Sequence, residues 1–135
     1  MQTKNETNAK APVFYMGLDV SKATFTVAQR QDDKIAITTY ANDEKGVLGF
    51  FKTLTDQHHC ILESTGNYDN RLLYVLCRAE KKVSVISPNQ SAAYAKVLKR
   101  QHKTDQTDAA LLLIFGEKEQ PDAYHLADDK ILILK

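Results

Sequence analysis

The stretch that decides the fold is "VFYMGLDVSKATFTVAQRQDDKIAITTYA", residues 13–41. It contains three short runs rich in β-branched, aromatic and other apolar residues, and two short polar turns separate them. Such runs are typical of strands, and connections this short join neighbouring antiparallel strands. The stretch therefore predicts a β-meander with strands over residues 13–20, 23–30 and 34–41.

Strands and helices alternate in the rest of the chain. Short apolar runs predict strands over 59–65 and 82–87, and apolar periodicity predicts helices over 44–57, 70–81, 89–100 and from the Asp105–Asp108 pair to about 118. Right-handed βαβ connections place the fourth strand beside the first and parallel to it. We therefore predict an α/β domain with a mixed five-stranded sheet of order 3-2-1-4-5 and helices on both faces.

Composition limits the class of protein. A chain of 135 residues with 43% hydrophobic and 26% charged residues is typical of one globular domain. No apolar run approaches the ~18–20 residues of a membrane span, and the polar tail of residues 1–11 lacks the apolar core of a signal peptide. Cys60 and Cys77 are expected to be buried and reduced, and neither the cysteines nor the histidines show zinc-type spacing. We expect a cytoplasmic protein with no membrane partner.

Two acids stand at the ends of buried strands. Asp19 ends the first predicted strand, and Glu63 follows the apolar run of the fourth. If those strands are parallel neighbours, the two carboxylates lie at the same edge of the sheet, ~5 Å apart. Ligands of such sheets gather at the carboxyl ends of the strands. This edge is the predicted site.

A second pair of acids, Asp105 and Asp108, precedes the apolar run of the last helix in "KTDQTDAALLL". One interpretation is that Asp105 caps the helix and Asp108 occupies its first turn, where an acid suits the helix dipole. The alternative is that the two side chains, three residues apart on one helical face, point at one ligand. The pattern alone leaves both open.

Four carboxylates at one place require neutralisation. At an effective dielectric near 20, such groups repel one another by several kcal/mol, so protons or cations must offset the charge. Oxygen ligands suit Mg²⁺ or Mn²⁺, and two such ions ~4 Å apart can activate one phosphodiester oxygen and stabilise the other. The acids Asp19, Glu63, Asp105 and Asp108 are therefore candidate metal ligands.

The basic residues are unevenly distributed, although the net charge is only +1. Between residues 81 and 104 there are six basic side chains and no acidic one. Such a run is compatible with a solvated face, and equally with contacts to a phosphate backbone beside a metal site. The candidate nucleic-acid contacts are Lys22, Lys96, Lys99, Arg100 and Lys103.

Four segments taken in order resemble one known family. They are "MGLDVSKATFTVA", "ESTGNY", "VSVISPNQ" and "AKVLKRQHKTDQTDAALL". They are similar to the amino-terminal RuvC-like domain of the DEDD insertion-sequence transposases, a family that includes Piv-type DNA invertases and bridge-RNA-guided recombinases. The resemblance covers roughly residues 13–126. It implies an RNase H-like fold, with Asp19, Glu63, Asp105 and Asp108 as the catalytic, metal-binding tetrad for DNA transposition. It further implies DNA, a guide RNA and further copies of the protein as partners.

The chain departs from the family at its carboxyl end. Family members continue into a second domain that carries a serine regarded as the nucleophile of strand exchange. We expect the RuvC-like domain to occupy residues 12–126 and residues 127–135 to begin a connection to that domain. None of the serines in this chain inherits the nucleophilic role, and Ser21, Ser64, Ser87 and Ser91 are predicted to be turn or cap residues.

Other functions remain as alternatives to a transposase or recombinase. A self-sufficient nuclease of the Holliday-junction-resolvase type would use the same acids, and a non-catalytic nucleic-acid-binding module would keep only the basic residues. The sugar-kinase and actin-like ATPases require a second glycine-rich loop and a longer chain. The 3′–5′ exonucleases require an acid at the position that Ser21 occupies.

Overall fold

The predicted meander is present in the computed structural model of the chain, which describes residues 12–64, 70–102 and 107–123. Its strands are β1 (Phe14–Val20), β2 (Thr24–Gln31) and β3 (Lys34–Ala41). Both pairs are antiparallel, as the short turns require. The side chain of Ser21 accepts a hydrogen bond from the Thr24 backbone N–H at 3.3 Å, which stabilises the first turn.

The alternating helices and strands follow in the predicted order. They are α1 (Glu44–Phe51), β4 (His58–Glu63), α2 (Asn70–Arg78), β5 (Lys82–Ile86), α3 (Pro88–His102) and α4 (Asp108–Glu119). Helix α1 ends earlier than predicted. The Thr53 hydroxyl donates to the Phe50 carbonyl at 2.7 Å, and the Thr53 and Leu54 amides bond three residues back instead of four. Threonine hydroxyls compete for backbone carbonyls in this way, so the helix closes in a tighter turn.

The sheet has the predicted order β3-β2-β1-β4-β5. Strands β1 and β4 are parallel, with Leu18 opposite Leu62, and β4 and β5 are parallel as well. This mixed sheet with helices on both faces is the RNase H-like arrangement that the resemblance implied. The carboxyl ends of β1, β4 and β5 therefore share one edge.

Each face of the sheet buries a separate set of side chains, because alternate residues of a strand point to opposite faces. One face packs against α1 and α2 through a cluster that includes Leu18, Phe25, Phe50, Leu62 and Leu76. The opposite face packs against α3 and α4 through smaller clusters, whose members include Ala28, Ile61, Ala109, Leu112, Leu113 and Phe115.

Helix α4 lies in direct contact with the backbone of β1. A Cβ atom added at Gly17 would stand 1.9 Å from the Ala109 carbonyl oxygen and 2.6 Å from the Leu113 nitrogen. Only a residue without a side chain permits this approach. Gly17 and Asp19 share one face of β1, so Asp19 lies on the face that α4 covers, at the end where α4 begins.

Polar contacts fix the opposite end of α4. Arg30 of β2 forms a bidentate ion pair with Glu117, with both N···O distances 2.9 Å. Beyond the helix, the Ser84 hydroxyl donates to the Asp122 carbonyl at 2.7 Å and therefore accepts from Nε2–H of His59, also at 2.7 Å. His59 is buried, and this network satisfies its polar Nε2 atom.

The expected burial is confirmed for Cys60 but not for Cys77. Both are free; Cys60 is buried and Cys77 half-buried. Burial raises the pKa of the Cys60 thiol to about 12, because the apolar surroundings disfavour the thiolate. Among the described residues, no helix is both long and apolar enough to cross a membrane.

Candidate active site

Asp19 stands at the rim of the sheet, at the end of β1. Its pKa is raised above the usual value, first because partial burial disfavours the charged carboxylate, and then because the charges of Asp108 and Glu63 repel it. Two of the other predicted ligands therefore act electrostatically on Asp19. The three acids come from β1, β4 and α4, which are distant in the sequence.

Glu63 reaches this edge through the parallel pairing of β4 with β1. Leu18 lies opposite Leu62, so Asp19 and Glu63 occupy adjacent positions at the ends of neighbouring strands. One carboxylate oxygen of Glu63, Oε2, accepts a short hydrogen bond from the hydroxyl of Ser91 on α3. Glu63 is thus restrained by a side chain from another element.

Asp108 is the first residue of α4. The N-cap of this helix is Thr107, whose side chain accepts from the Ala110 amide at 3.3 Å. The interpretation of Asp105 as the helix cap is therefore wrong, because Thr107 does that work two residues later. Asp105 itself lies outside the described residues, so the structure gives no position for the fourth acid.

The chemistry of this donor set fits a hard divalent cation. The side chains of Asp19, Glu63 and Asp108 offer only carboxylate oxygens, and the repulsion of Asp19 by the other two favours a bound cation. Within residues 12–64, 70–102 and 107–123, however, no three His, Cys, Asp or Glu side chains are gathered closely enough to hold a metal ion. The described acids approach one another without forming a closed coordination sphere.

The predicted nucleic-acid contacts fall on two surfaces. Lys22 is exposed in the turn that follows Asp19, and Lys96, Lys99 and Arg100 are exposed on α3. Helix α3 turns another stripe inward, composed of Ser91, Tyr94 and Leu98. Lys103 lies outside the part of the chain that the structure describes.

The serines divide into two groups. Ser87 forms a capping box with Gln90: its hydroxyl accepts from the Gln90 amide at 3.1 Å, and the Gln90 side chain accepts from the Ser87 amide at 3.0 Å. The predicted cap role is confirmed for Ser87, as is the turn role of Ser21. Ser91 is not a cap, because it lies a turn inside α3 and contacts Glu63. Sequence reasoning missed this contact.

The model of a family of DEDD transposases of the IS110 type, described as "Transposase", matches residues 16–135. Two curated relatives are pilin gene-inverting proteins of Moraxella bovis and Moraxella lacunata. Each is 31% identical over 121 residues, which cover 85% of this chain and 38% of the relative. The chain therefore spans well under half the length of these relatives.

Solved structures give weaker likenesses. RuvC of T. thermophilus, in complex with a Holliday junction substrate, is 9% identical, with 90% of this chain and 88% of that chain covered and a TM-score of 0.40. A Ppx/GppA family protein of Aquifex aeolicus is 18% identical, with 64% and 39% covered and a TM-score of 0.37. Likenesses at this level carry no argument, and the fold assignment depends on the strand order and register.

Proposed function

The chain belongs to the IS110-type family of DEDD transposases, and on that premise we propose that it is the metal-binding catalytic domain of a DNA transposase or site-specific recombinase. The observation that carries the proposal is the placement of Asp19 and Glu63 at adjacent strand ends, with Asp108 at the start of α4 close enough to repel Asp19. A fold that keeps like charges together at a cost to stability does so for a ligand. Family membership favours this function over a junction resolvase or a purely binding module.

We propose Asp19, Glu63, Asp105 and Asp108 as the ligands of Mg²⁺ or Mn²⁺. A bound divalent ion supplies charge neutralisation and Lewis acidity at the scissile phosphodiester. The role of the protein is to hold the carboxylates at fixed positions on β1, β4 and the start of α4. Asp105 is included because it stands three residues before Asp108 in the sequence and because the family resemblance implies it.

We propose that Lys22, Lys96, Lys99, Arg100 and Lys103 contact the nucleic-acid backbone. The exposure of the first four supports this role, because charged side chains must reach solvent to meet phosphates. Backbone contacts give affinity without sequence information. The isolated chain is therefore expected to bind DNA weakly and without sequence preference.

The salt dependence of DNA binding tests these contacts. Replacing Lys96 and Arg100 together by glutamine removes two cations, so the slope of log K against log [salt] is expected to become shallower by about 2, since each duplex phosphate contact contributes about 0.9. Fluorescence anisotropy with a labelled duplex at several salt concentrations measures the slope. Lys34→Gln is the matched control, because Lys34 is exposed in the β2–β3 hairpin, at the edge of the sheet remote from Asp19. An equal change in the control, or tight salt-insensitive binding to one sequence, contradicts the assignment.

The remaining partners follow from the family. We propose that the full-length protein acts with a guide RNA of the bridge type and assembles as a homo-oligomer on DNA. Such a protein works in the bacterial or archaeal cytoplasm, at the nucleoid. The greater length of the curated relatives supports a further domain, and we propose that residues 12–126 form the catalytic domain described here and that residues 127–135 begin the connection.

Residues 1–135 alone are expected to give no strand exchange. The resemblance assigns the attacking serine to a second domain, and Ser21, Ser87 and Ser91 are held in a turn, a helix cap and the contact with Glu63. The measurement is formation of recombinant plasmid from paired target sites in Mg²⁺ and in Mn²⁺. Slow Mn²⁺-dependent nicking does not contradict the proposal but favours the resolvase-type alternative. Recombinant product from this chain contradicts the assignment of the nucleophile.

A further inference from the structure

Ser91 is a buried hydroxyl on the inward face of α3, with 5% of its surface exposed. The capping box of Ser87 and Gln90 fixes the first turn of the helix. Ser91 shares one helical stripe with Tyr94 and Leu98, because these residues are three and seven positions apart. Tyr94 of that stripe packs edge-on against Phe115 of α4, with ring centroids 5.3 Å apart. An apolar residue would fill this position without the cost of burying a hydroxyl.

The hydrogen bonds of Ser91 indicate why a hydroxyl is buried at this position. Its hydroxyl has a single proton and two acceptors within reach, Oε2 of Glu63 and the Pro88 carbonyl at 3.0 Å. A bond to an ionised carboxylate is the stronger of the two. Helix capping does not explain the residue, because Ser87 already provides the cap. The contact with Glu63 is what satisfies the buried hydroxyl.

We infer that Ser91 is a positioning residue for Glu63, which holds Oε2 of the carboxylate and leaves Oε1 free to bind the divalent cation. This inference rests on the proposed function. Within the described ranges, no other hydrogen bond restrains the Glu63 carboxylate. Carboxylates that bind metals are themselves commonly oriented by such outer hydrogen bonds, and loss of one typically weakens metal binding by about 10- to 100-fold.

The test measures the Mn²⁺ concentration that gives half of the maximal rise in melting temperature. Ser91→Ala is expected to raise this concentration by about 10- to 100-fold. Ser91→Cys keeps most of the side-chain volume but offers only a weak S–H donor, so it is expected to change the midpoint in the same direction and carries the test if the alanine variant does not fold. In a Glu63→Gln background, Ser91→Ala is expected to have no further effect on the midpoint.

Ser87→Ala is the matched control, because it removes a serine hydroxyl from the same helix without touching Glu63. Lost capping lowers the melting temperature in chelator but should leave the Mn²⁺ midpoint unchanged. If the Ser91 variants also leave the midpoint unchanged while the unmodified chain responds to Mn²⁺, Ser91 is only structural and the inference is wrong. If the unmodified chain shows no response to Mn²⁺, the metal site itself is wrong, and the positioning role is overturned with it.

Discussion

Replacing Gly17 with alanine is expected to lower the free energy of unfolding by about 3 kcal/mol, at the upper end of the range for overpacked cores. The new Cβ would lie 1.9 Å from the Ala109 carbonyl oxygen and 2.6 Å from the Leu113 nitrogen. Both are backbone atoms of α4, so no side chain can rotate away and the helix itself must move. Urea unfolding followed by far-UV circular dichroism measures the loss.

Gly49→Ala is the matched control for this substitution. Gly49 lies in α1, and an added Cβ there meets no atom within 4 Å. Because alanine loses less backbone entropy than glycine in a helix, this variant is expected to be more stable by about 0.5–1 kcal/mol. The same chemical change thus acts in opposite directions at two sites. If Gly17→Ala is as stable as the unmodified chain, the close approach of α4 to β1 is wrong.

The Gly17 substitution also bears on the candidate site. Asp108 is the residue immediately before Ala109, so a displaced α4 moves its carboxylate relative to Asp19. We therefore expect Gly17→Ala to weaken any stabilisation by Mn²⁺, although it changes no ligand. Gly49→Ala is expected to leave that stabilisation unchanged.

The sheet could be predicted because each strand and each turn is specified by a short stretch of sequence. Alternating or continuous apolar runs predict all five strands. Short connections and right-handed crossovers then favour one order of these strands in the sheet, the order that is observed. The edge shared by Asp19 and Glu63 then followed from parallel pairing alone. No detailed knowledge of side-chain packing was required.

What sequence reasoning missed depends on choices between competing hydrogen bonds. Threonine and aspartate are both favourable N-cap residues. Because α4 begins at Asp108, the N-cap is Thr107 and not Asp105. The Ser87-x-x-Gln90 capping box was readable in the sequence, and it would have placed Ser91 on an inward face. Its partner Glu63 is 28 residues away, so that contact depends on how α3 crosses the end of β4.

The second large effect concerns Asp19. In metal-free protein, Asp19→Asn is expected to be as stable as the unmodified chain or more so, because it removes a partly desolvated charge and relieves repulsion by Asp108 and Glu63. Folding raises the pKa of Asp19 above its ordinary value of 3.8, so the folded chain holds this proton more tightly than the unfolded chain. That contribution to stability is present at low pH and is lost as pH rises through the folded pKa. The advantage of Asp19→Asn should therefore be largest at neutral pH.

Addition of Mn²⁺ is expected to reverse the order of stability. A ligand at a hundredfold its Kd stabilises the folded state by about 2.7 kcal/mol, and Asp19→Asn should lose most of that gain. Thermal unfolding in chelator and in millimolar Mn²⁺ measures both the metal-free stability and the stabilisation by the metal. Asp33→Asn is the matched control, because Asp33 lies in the β2–β3 turn at the other edge of the sheet and should leave the Mn²⁺ response unchanged.

Substitutions of Asp108 and Asp105 distinguish a metal site from acids that only stabilise the start of a helix. Asp108→Asn removes a negative charge from the first turn of α4, which by itself costs about 0.3–1 kcal/mol of stability. The metal-free stability of this variant therefore reports the repulsion between the acids less directly than that of Asp19→Asn. Asp105→Asn removes no cap, since Thr107 provides it, and any loss of Mn²⁺ response there identifies Asp105 as a ligand. If all three substitutions destabilise the metal-free chain and Mn²⁺ moves none of the melting curves, these acids stabilise the fold and do not bind metal.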